Sequence, residues 1–408
     1  MGNGSTVQRI ARGWVVAVFI SVAIAGAPPG GTGVTAQAAP APVGPLEEVE
    51  FDYPMTVINS RELQIVRQRI EAGEEPQASA YAQLIKDAEA AQAFTPEPPD
   101  LMEIMGGYEE DSNLSEMRGL MEREAEAAYA SALAWLYSGE QRYADKAVEI
   151  LDAWSEQGTR FDGGDAGLQL GSWFNRMLYA ADLMRGYDPW TRSGREEFEH
   201  WWREEALPHV RDAYLGRTNN WQDAGVLGVI TAAVVFEDRE LLREALIELD
   251  SYFFAPRGIG GRDPKMHRHH CGSVYFPAEV TRAGRDRGPG GRGMTYTAYT
   301  LTSLVQALEI ARYAGFDWWD RKAENGVTPK EAVASYIRWM DLGVEFPWHD
   351  DPYRYESDGP RRNPHEIIHN HFPGYVDGLD RWLAQHRPVN GRQGDPYVTL
   401  NRGDVHPR

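Results

Sequence analysis

The chain has 408 residues, 25% charged and 42% hydrophobic, an ordinary balance for a globular protein of one large or two medium domains. Its net charge of -20 argues against DNA or RNA as a partner. A single cysteine, Cys271, rules out an internal disulfide and reads as a buried thiol with no assignable activating base.

Residues 1–38 have the pattern of an export signal. Arg9 and Arg12 precede an apolar stretch from Trp14 to Ala27, and Ala36-Gln37-Ala38 offers small residues for cleavage before Ala39. The apolar run is too short and interrupted to span a membrane, so no stable membrane association is expected after cleavage, and the address is periplasmic or secreted. Residues 39–50, rich in Ala and Pro, read as a linker with no means of packing, leaving 51–408 as one domain.

From there the apolar spacing is helical. Ala125, Tyr129, Ala132, Leu133 and Leu136 share one face, Gly139 interrupts, and Ala144, Ala147, Val148, Leu151 and Trp154 resume it, which predicts a helical hairpin. Similar pairs are predicted at 168–186 with 194–215, 222–236 with 239–254, and 295–314 with 330–342, and a last helix near 373–386. No run of alternating strands and no βαβ spacing is present. Successive irregular hairpins predict an all-α fold, a curved or closed array of antiparallel helix pairs.

Four segments rich in Gly, Pro and charge break this order: Pro96 to Tyr108, Phe161 to Gly167, Pro256 to Gly293 and Phe346 to Pro364. The third is too long for a plain connection in a compact domain and is the leading site candidate. Between Arg262 and Arg292 it holds seven Lys or Arg against three acids, opposite to the charge of the whole chain. A cleft of one charge concentrates ligands of the other, here anions. The 13 Trp and 19 Tyr add aromatic faces of the kind on which sugar rings stack, although most will be packing residues.

Tyr296 stands where this loop enters a helix with Leu301, Leu304, Val305, Leu308 and Ala311 on its buried face. Arg292 and Arg282 lie upstream, and a nearby cation favours the phenolate that would remove a weakly acidic proton. Tyr299, one turn on, is the second candidate of this face. Arg217-Thr218-Asn219-Asn220-Trp221 precedes another apolar helix; the two Asn would cap it or offer a carboxamide to a substrate carboxylate. His267, His269 and His270, with Arg268 among them, form one imidazole cluster, and His365, His369 and His371 another. The first spacing puts no two imidazoles on one helical face and has no carboxylate pair close in sequence; His365 and His369, at i and i+4, would share a helix face, but Pro364 and Pro373 bracket only a short segment, so no metal and no cofactor is expected.

The order Asn219-Asn220, Glu279-Val280-Thr281-Arg282, Arg292-Gly293-Met294-Thr295-Tyr296 and Gly315-Phe316-Asp317-Trp318-Trp319 resembles the alginate lyase superfamily of polysaccharide lyases over roughly residues 80 to 345. The resemblance implies an incomplete (α/α) toroid and β-elimination of an acidic polysaccharide, alginate or β-1,4-glucuronan. It implies Tyr296 as the catalytic tyrosine, Asn220 as the amide, and Arg292 or Arg282 as the arginine. Trp221 departs from the pattern, which often has histidine there; His269 or His270 would then supply the imidazole. Asn219, Trp221, Arg268, Arg282, Tyr299 and His371 are the remaining substrate-binding candidates. Two rivals are an inverting hydrolase drawing on Asp162, Asp165, Glu109, Glu110, Asp350 or Asp351, and a glycan-binding protein without turnover.

Overall fold

The computed structural model describes residues 46–215, 217–254, 265–280, 291–348, 361–389, 391 and 393–405. The expected export signal and most of the expected linker lie outside them, as do Arg282, Asp350 and Asp351. The end of the expected linker nevertheless packs: Leu46 and Val49 are buried, and their carbonyls accept from the Arg239 guanidinium at 3.2 and 2.8 Å. Apolar side chains four residues beyond the Ala/Pro run are what end it.

The helices follow as hairpins. α1 (Ser60–Ala72) opens with a capping box between Asn59 and Glu62 and closes at left-handed Gly73, before α2 (Gln77–Ala91). α3 (Leu114–Ser138) and α4 (Gln141–Gln157) form the hairpin that the Gly139 break predicts. The expected helix 168–186 is split into α5 (Ala166–Ser172) and α6 (Arg176–Met184), and 194–215 into α7 (Arg192–Trp201), a π-helical turn and α8 (Leu207–Tyr214). α9 (Asn220–Val235) with α10 (Arg239–Phe253) comes next, then the short α11 (Pro277–Val280). α12 (Gly293–Tyr313) is followed by α13 (Pro329–Asp341). The single last helix expected near 373–386 is instead α14 (Asn363–His371) and α15 (Leu379–His386), separated by a turn with left-handed Gly374 and Gly378, and α16 (Val398–Arg402) ends the fold. This is the all-α, (α/α) toroid architecture.

Two helices are inner ones. All of α9 is buried except Trp221, and all of α12 except Tyr296, Tyr299, Arg312 and Tyr313. A helix apolar around its whole circumference must be covered on every side; α5, α8, α10 and α12 surround α9. The approach is close enough that a Cβ on Gly171 of α5 would collide with the Ala224 carbonyl of α9. Asn220 and Tyr296 stand at the starts of these two helices.

Two small sheets were not foreseen from the sequence. β1 (Leu101–Glu103) pairs in parallel with β2 (Arg160–Asp162), joining the first two of the four irregular segments. β3 (His267–Arg268) pairs antiparallel with β4 (Val274–Tyr275), so the described part of the long third segment carries a hairpin and a helical turn.

Candidate active site

The starts of α9 and α12 open on a cleft of about 260 Å³. Its wall includes Asn220 and Trp221 from α9, Arg292 from the N-cap of α12, and Tyr296 and Tyr299 from its first turns. Five of the residues singled out from the sequence are therefore brought together although more than seventy positions separate them. Asn220 is held by its backbone: its N–H donates to Glu279 Oε1 at 2.8 Å, and the Thr300 hydroxyl of α12 donates to the same oxygen at 3.2 Å. Glu279, fully buried, thus ties the start of α9 to α12. The capping role considered for the Asn pair is not realised, because Asn219 is the N-cap residue but accepts no backbone N–H through its side chain. One turn into α9, buried Asp223 meets buried Lys265 at 2.6 Å, which anchors the entry to β3.

The opposite wall comes from residues that sequence reasoning did not select. Tyr108, 70% exposed, places its hydroxyl 2.6 Å from that of Tyr296. It rides on the connection between β1 and α3, which Asn113 pins by accepting from Met105 N–H at 3.0 Å and donating to the Glu103 carbonyl at 2.8 Å. Asp165 follows β2, and the β1–β2 pairing continues into this region through Ile104 N–H to the Asp162 carbonyl at 2.8 Å. Gly163 has φ of 98° and sits against the Ile104 carbonyl, where a side chain has no room. Burial raises the Asp165 carboxyl above its ordinary range against the Gly107 N–H and Arg118, which pull it down. Arg118, Gln169 and Trp173 add to this wall, with Arg118 Nε donating to Gln169 Oε1 at 3.2 Å.

The chain after the fourth irregular segment closes the cleft with Arg361 and Gln393. Arg361 is buried, donates to Gln393 and lies 4.1 Å over the Tyr299 ring, which in turn meets the Tyr296 ring edge-on at 5.5 Å. Arg118, Arg292 and Arg361 thus line a cleft in which, among the described residues, Asp165 is the one carboxylate. The signals for these residues were faint: a tyrosine after paired glycines, and single polar residues far along the chain.

Other candidates stand elsewhere. His269 and His270 stack on each other at 3.9 Å at the turn of the β3–β4 hairpin, where His269 packs on Trp348 at 4.9 Å and its Nδ1 is 3.0 Å from Cys271 Sγ. Neither lines the cleft beside Asn220, because the hairpin spends this stretch on packing against Trp348 and α13. Cys271 is exposed rather than buried, being on that turn. Arg268 pairs with Glu331 of α13 at 2.7 Å. His371 is buried against Glu309 at 2.6 Å, a role in the core. His365 and His369 share α14 as their spacing suggested, but bond to Asp341 at 2.8 Å and Asp380 at 3.1 Å. No group of three or more His, Cys, Asp or Glu suited to a metal ion occurs among the described residues. Of the acids considered for hydrolysis that lie among the described residues, Asp165 alone lines the cleft, whereas inversion uses two carboxyl groups facing each other.

The family model for alginate lyase matches residues 71–346. Among solved structures, the chain is similar to alginate lyase A1-III from Sphingomonas species A1, at 18% identity and a TM-score of 0.64 over 88% of this chain and 98% of that one. It is also similar to an alginate lyase from Bacteroides ovatus, at 17% identity and a TM-score of 0.61 over 86% of this chain and 99% of that one. A histidine-to-alanine variant of A1-III complexed with a tetrasaccharide aligns at 16% identity and a TM-score of 0.63 over 88% and 97%. No curated protein sequence matches the chain significantly. Arg361 and Gln393 lie beyond the span of the family match.

Proposed function

The chain belongs to the alginate lyase family of polysaccharide lyases, and on that premise we propose that it is an exported enzyme cleaving a β-1,4-linked polyuronate, mannuronate-rich alginate or glucuronan, by β-elimination. The observation that carries this reading is the arginine-lined cleft around Tyr296 in a chain of net charge -20. Cationic walls concentrate a polyanion there.

A uronate C5 proton is hard to remove while the adjacent carboxylate keeps its full charge, since the carbanion would add a second charge to the same group. The Asn220 carboxamide and the Arg292 guanidinium neutralise that carboxylate and stabilise the charge that grows on it, an electrostatic role that costs no reorganisation because α9 and α12 hold both residues in place. Tyr296 takes the C5 proton. The C4–O4 bond breaks as C4=C5 forms, and the proton passes from Tyr296 to the departing O4, so one residue serves as base and then acid. Tyr108, within hydrogen-bond distance of the Tyr296 oxygen, donates to the phenolate. No helix among the described residues is long and apolar enough to cross a membrane.

Incubation with mannuronate-rich and guluronate-rich alginate, glucuronan, pectate and a glycosaminoglycan tests the reading. The conjugated C4=C5 and carboxylate of the product absorb in the ultraviolet, and new absorbance with alginate or glucuronan is expected. Reducing ends released without that absorbance would assign hydrolysis instead.

A further inference from the structure

We infer that Asp165 reads the ring hydroxyls of the bound polymer, accepting a hydrogen bond from O2 or O3 of the uronate whose carboxylate faces Asn220 and Arg292. The inference rests on the polyuronate reading above and deepens it from the charge of the sugar to its hydroxyls. Within a 1,4-linked chain a uronate carries hydroxyls only at C2 and C3, and C2 lies across the ring from C5, which bears the carboxylate. Arginines match the carboxylate edge. An ionised acid accepts hydrogen bonds and donates none, so in this cleft it can be matched only by the hydroxyl edge. Mannuronate and glucuronate differ in configuration at C2 alone, and a contact there bears on the choice between them.

Half-buried Asp165 is the one carboxylate among the described residues of the cleft, and it stands on the side of Tyr108. Its backbone is fixed both ways: its N–H donates to the Ile104 carbonyl, and its carbonyl accepts from the Gln169 N–H, each at 3.1 Å. Asp165 is the N-cap residue of α5, where an aspartate ordinarily accepts from the first N–H groups of its own helix, yet its side chain makes no such bond. It accepts instead from the Gly107 N–H. Arg118 and Arg217 act on it through space, but Arg118 donates its Nε to Gln169 Oε1 at 3.2 Å and lies 5.6 Å from the Trp173 ring centre. Among the described residues Asp165 forms no ion pair. Burial, with Glu109 adding to it, raises the carboxyl more than these groups lower it. That is the state of an acceptor with fewer donors than its roughly four lone-pair sites can take, and sugar hydroxyls would supply them.

The test measures binding apart from turnover. In the full chain carrying Tyr296→Phe, tetramers of mannuronate and of glucuronate, and counterparts lacking O2 or O3 throughout, are titrated by calorimetry. Adding Asp165→Asn keeps the size of the side chain and an oxygen for the Gly107 N–H, and its urea midpoint checks the fold. It is expected to weaken binding of the unmodified tetramer roughly tenfold, the usual worth of a hydrogen bond to a charged group. The counterpart whose missing hydroxyl costs the parent most should bind the variant and the parent equally. Asp165→Glu keeps the charge but displaces it by one methylene, and should weaken binding as well. With Tyr296 present, Asp165→Asn should raise KM by more than it lowers kcat. An acid that merely repels the polymer gives the opposite sign, since neutralising it in an arginine-lined cleft tightens binding of a polyanion. Equal or tighter binding by Asp165→Asn, the same loss for every tetramer, or a parent indifferent to both missing hydroxyls overturns the inference, while ultraviolet product formation leaves the lyase reading intact. Asp165-dependent binding without any unsaturated product overturns the lyase reading alone, and no binding of any tetramer overturns both.

Discussion

Tyr296 and Tyr108 form the shortest link between the two walls of the cleft, and their chemistry is separable by single substitutions. Tyr296→Phe keeps the ring and its contact with Tyr299 but removes the oxygen proposed to move the proton, so kcat should fall roughly a hundredfold or more with folding unchanged. Tyr108→Phe removes one hydrogen bond to the same oxygen and should cost about tenfold. Tyr299→Phe is the control, since its hydroxyl is not needed for the proposed transfer. If Tyr299→Phe proves the most damaging of the three, the proton-transfer role belongs there. The place of Tyr296, Asn220 and Arg292 in the cleft was legible in the sequence because each marks the start of an apolar helix, where a local pattern meets a loop. Tyr108, Arg361 and Gln393 were not, because only the tertiary pairing of distant segments brings them to Tyr296. The histidines misled for a related reason: clustering in sequence says nothing about which way a hairpin turns, and His269 and His270 follow the β3–β4 turn to Trp348.

At the level of elements, apolar periodicity located the hairpins well because inner helices such as α9 and α12 must be apolar along their length. It failed at boundaries decided by tertiary contact, as at Trp173 to Asn175, where the chain breaks between α5 and α6 and Trp173 is turned to the cleft. Helix α14 illustrates a pattern read correctly in space but with a structural outcome. Burial lowers the His365 imidazole below its ordinary value despite its bond to Asp341. Burial would raise Asp341, but His365 and Arg362 outweigh it and bring its carboxyl down to about 2. The signs agree. Below the unfolded histidine value near 6.5 the unfolded chain takes up a proton that folded His365 resists, so stability falls as pH falls through that point. Asp341 adds a loss as pH drops from about 4 toward its folded value. Urea unfolding of the parent and of His365→Gln from pH 8 to 5 isolates the first effect. The parent should lose its advantage over the variant progressively below pH 7, by at most about 1.4 kcal/mol per pH unit; parallel curves would show that His365 takes up its proton equally in both states.

Over the whole molecule, the array of hairpins is closed by a buried charge cluster that joins its first and last helices. Glu62 of α1, Glu309 and Arg312 of α12, His371 of α14 and Arg402 of α16 meet there: Arg402 bonds Glu62 at 2.8 Å and approaches Glu309 at 3.3 Å, and Arg312 bonds them at 2.8 and 3.0 Å. Trp319 donates to Glu309 at 2.9 Å, and Gln77 and Arg69 of the first hairpin reach the Gly403 carbonyl. Burial alone would raise the Glu309 carboxyl, but Arg312, His371 and Arg402 together hold it well below the usual range. The sequence offered no sign of this seam, because Glu62 stands 250 positions from Arg312 and 340 from Arg402. Removing one member of a buried ion cluster strands the others, which costs roughly 3–5 kcal/mol. Arg402→Met and Glu309→Gln should therefore each lower the urea midpoint strongly with the slope unchanged. Since each substitution relieves part of what the other strands, the double variant should lose clearly less than the two losses added, the sign of residues that act as one network. Strict additivity would mean that Arg402 and Glu309 stabilise separate parts of the fold, and that the closure between α1 and α16 is carried instead by the apolar contacts around them.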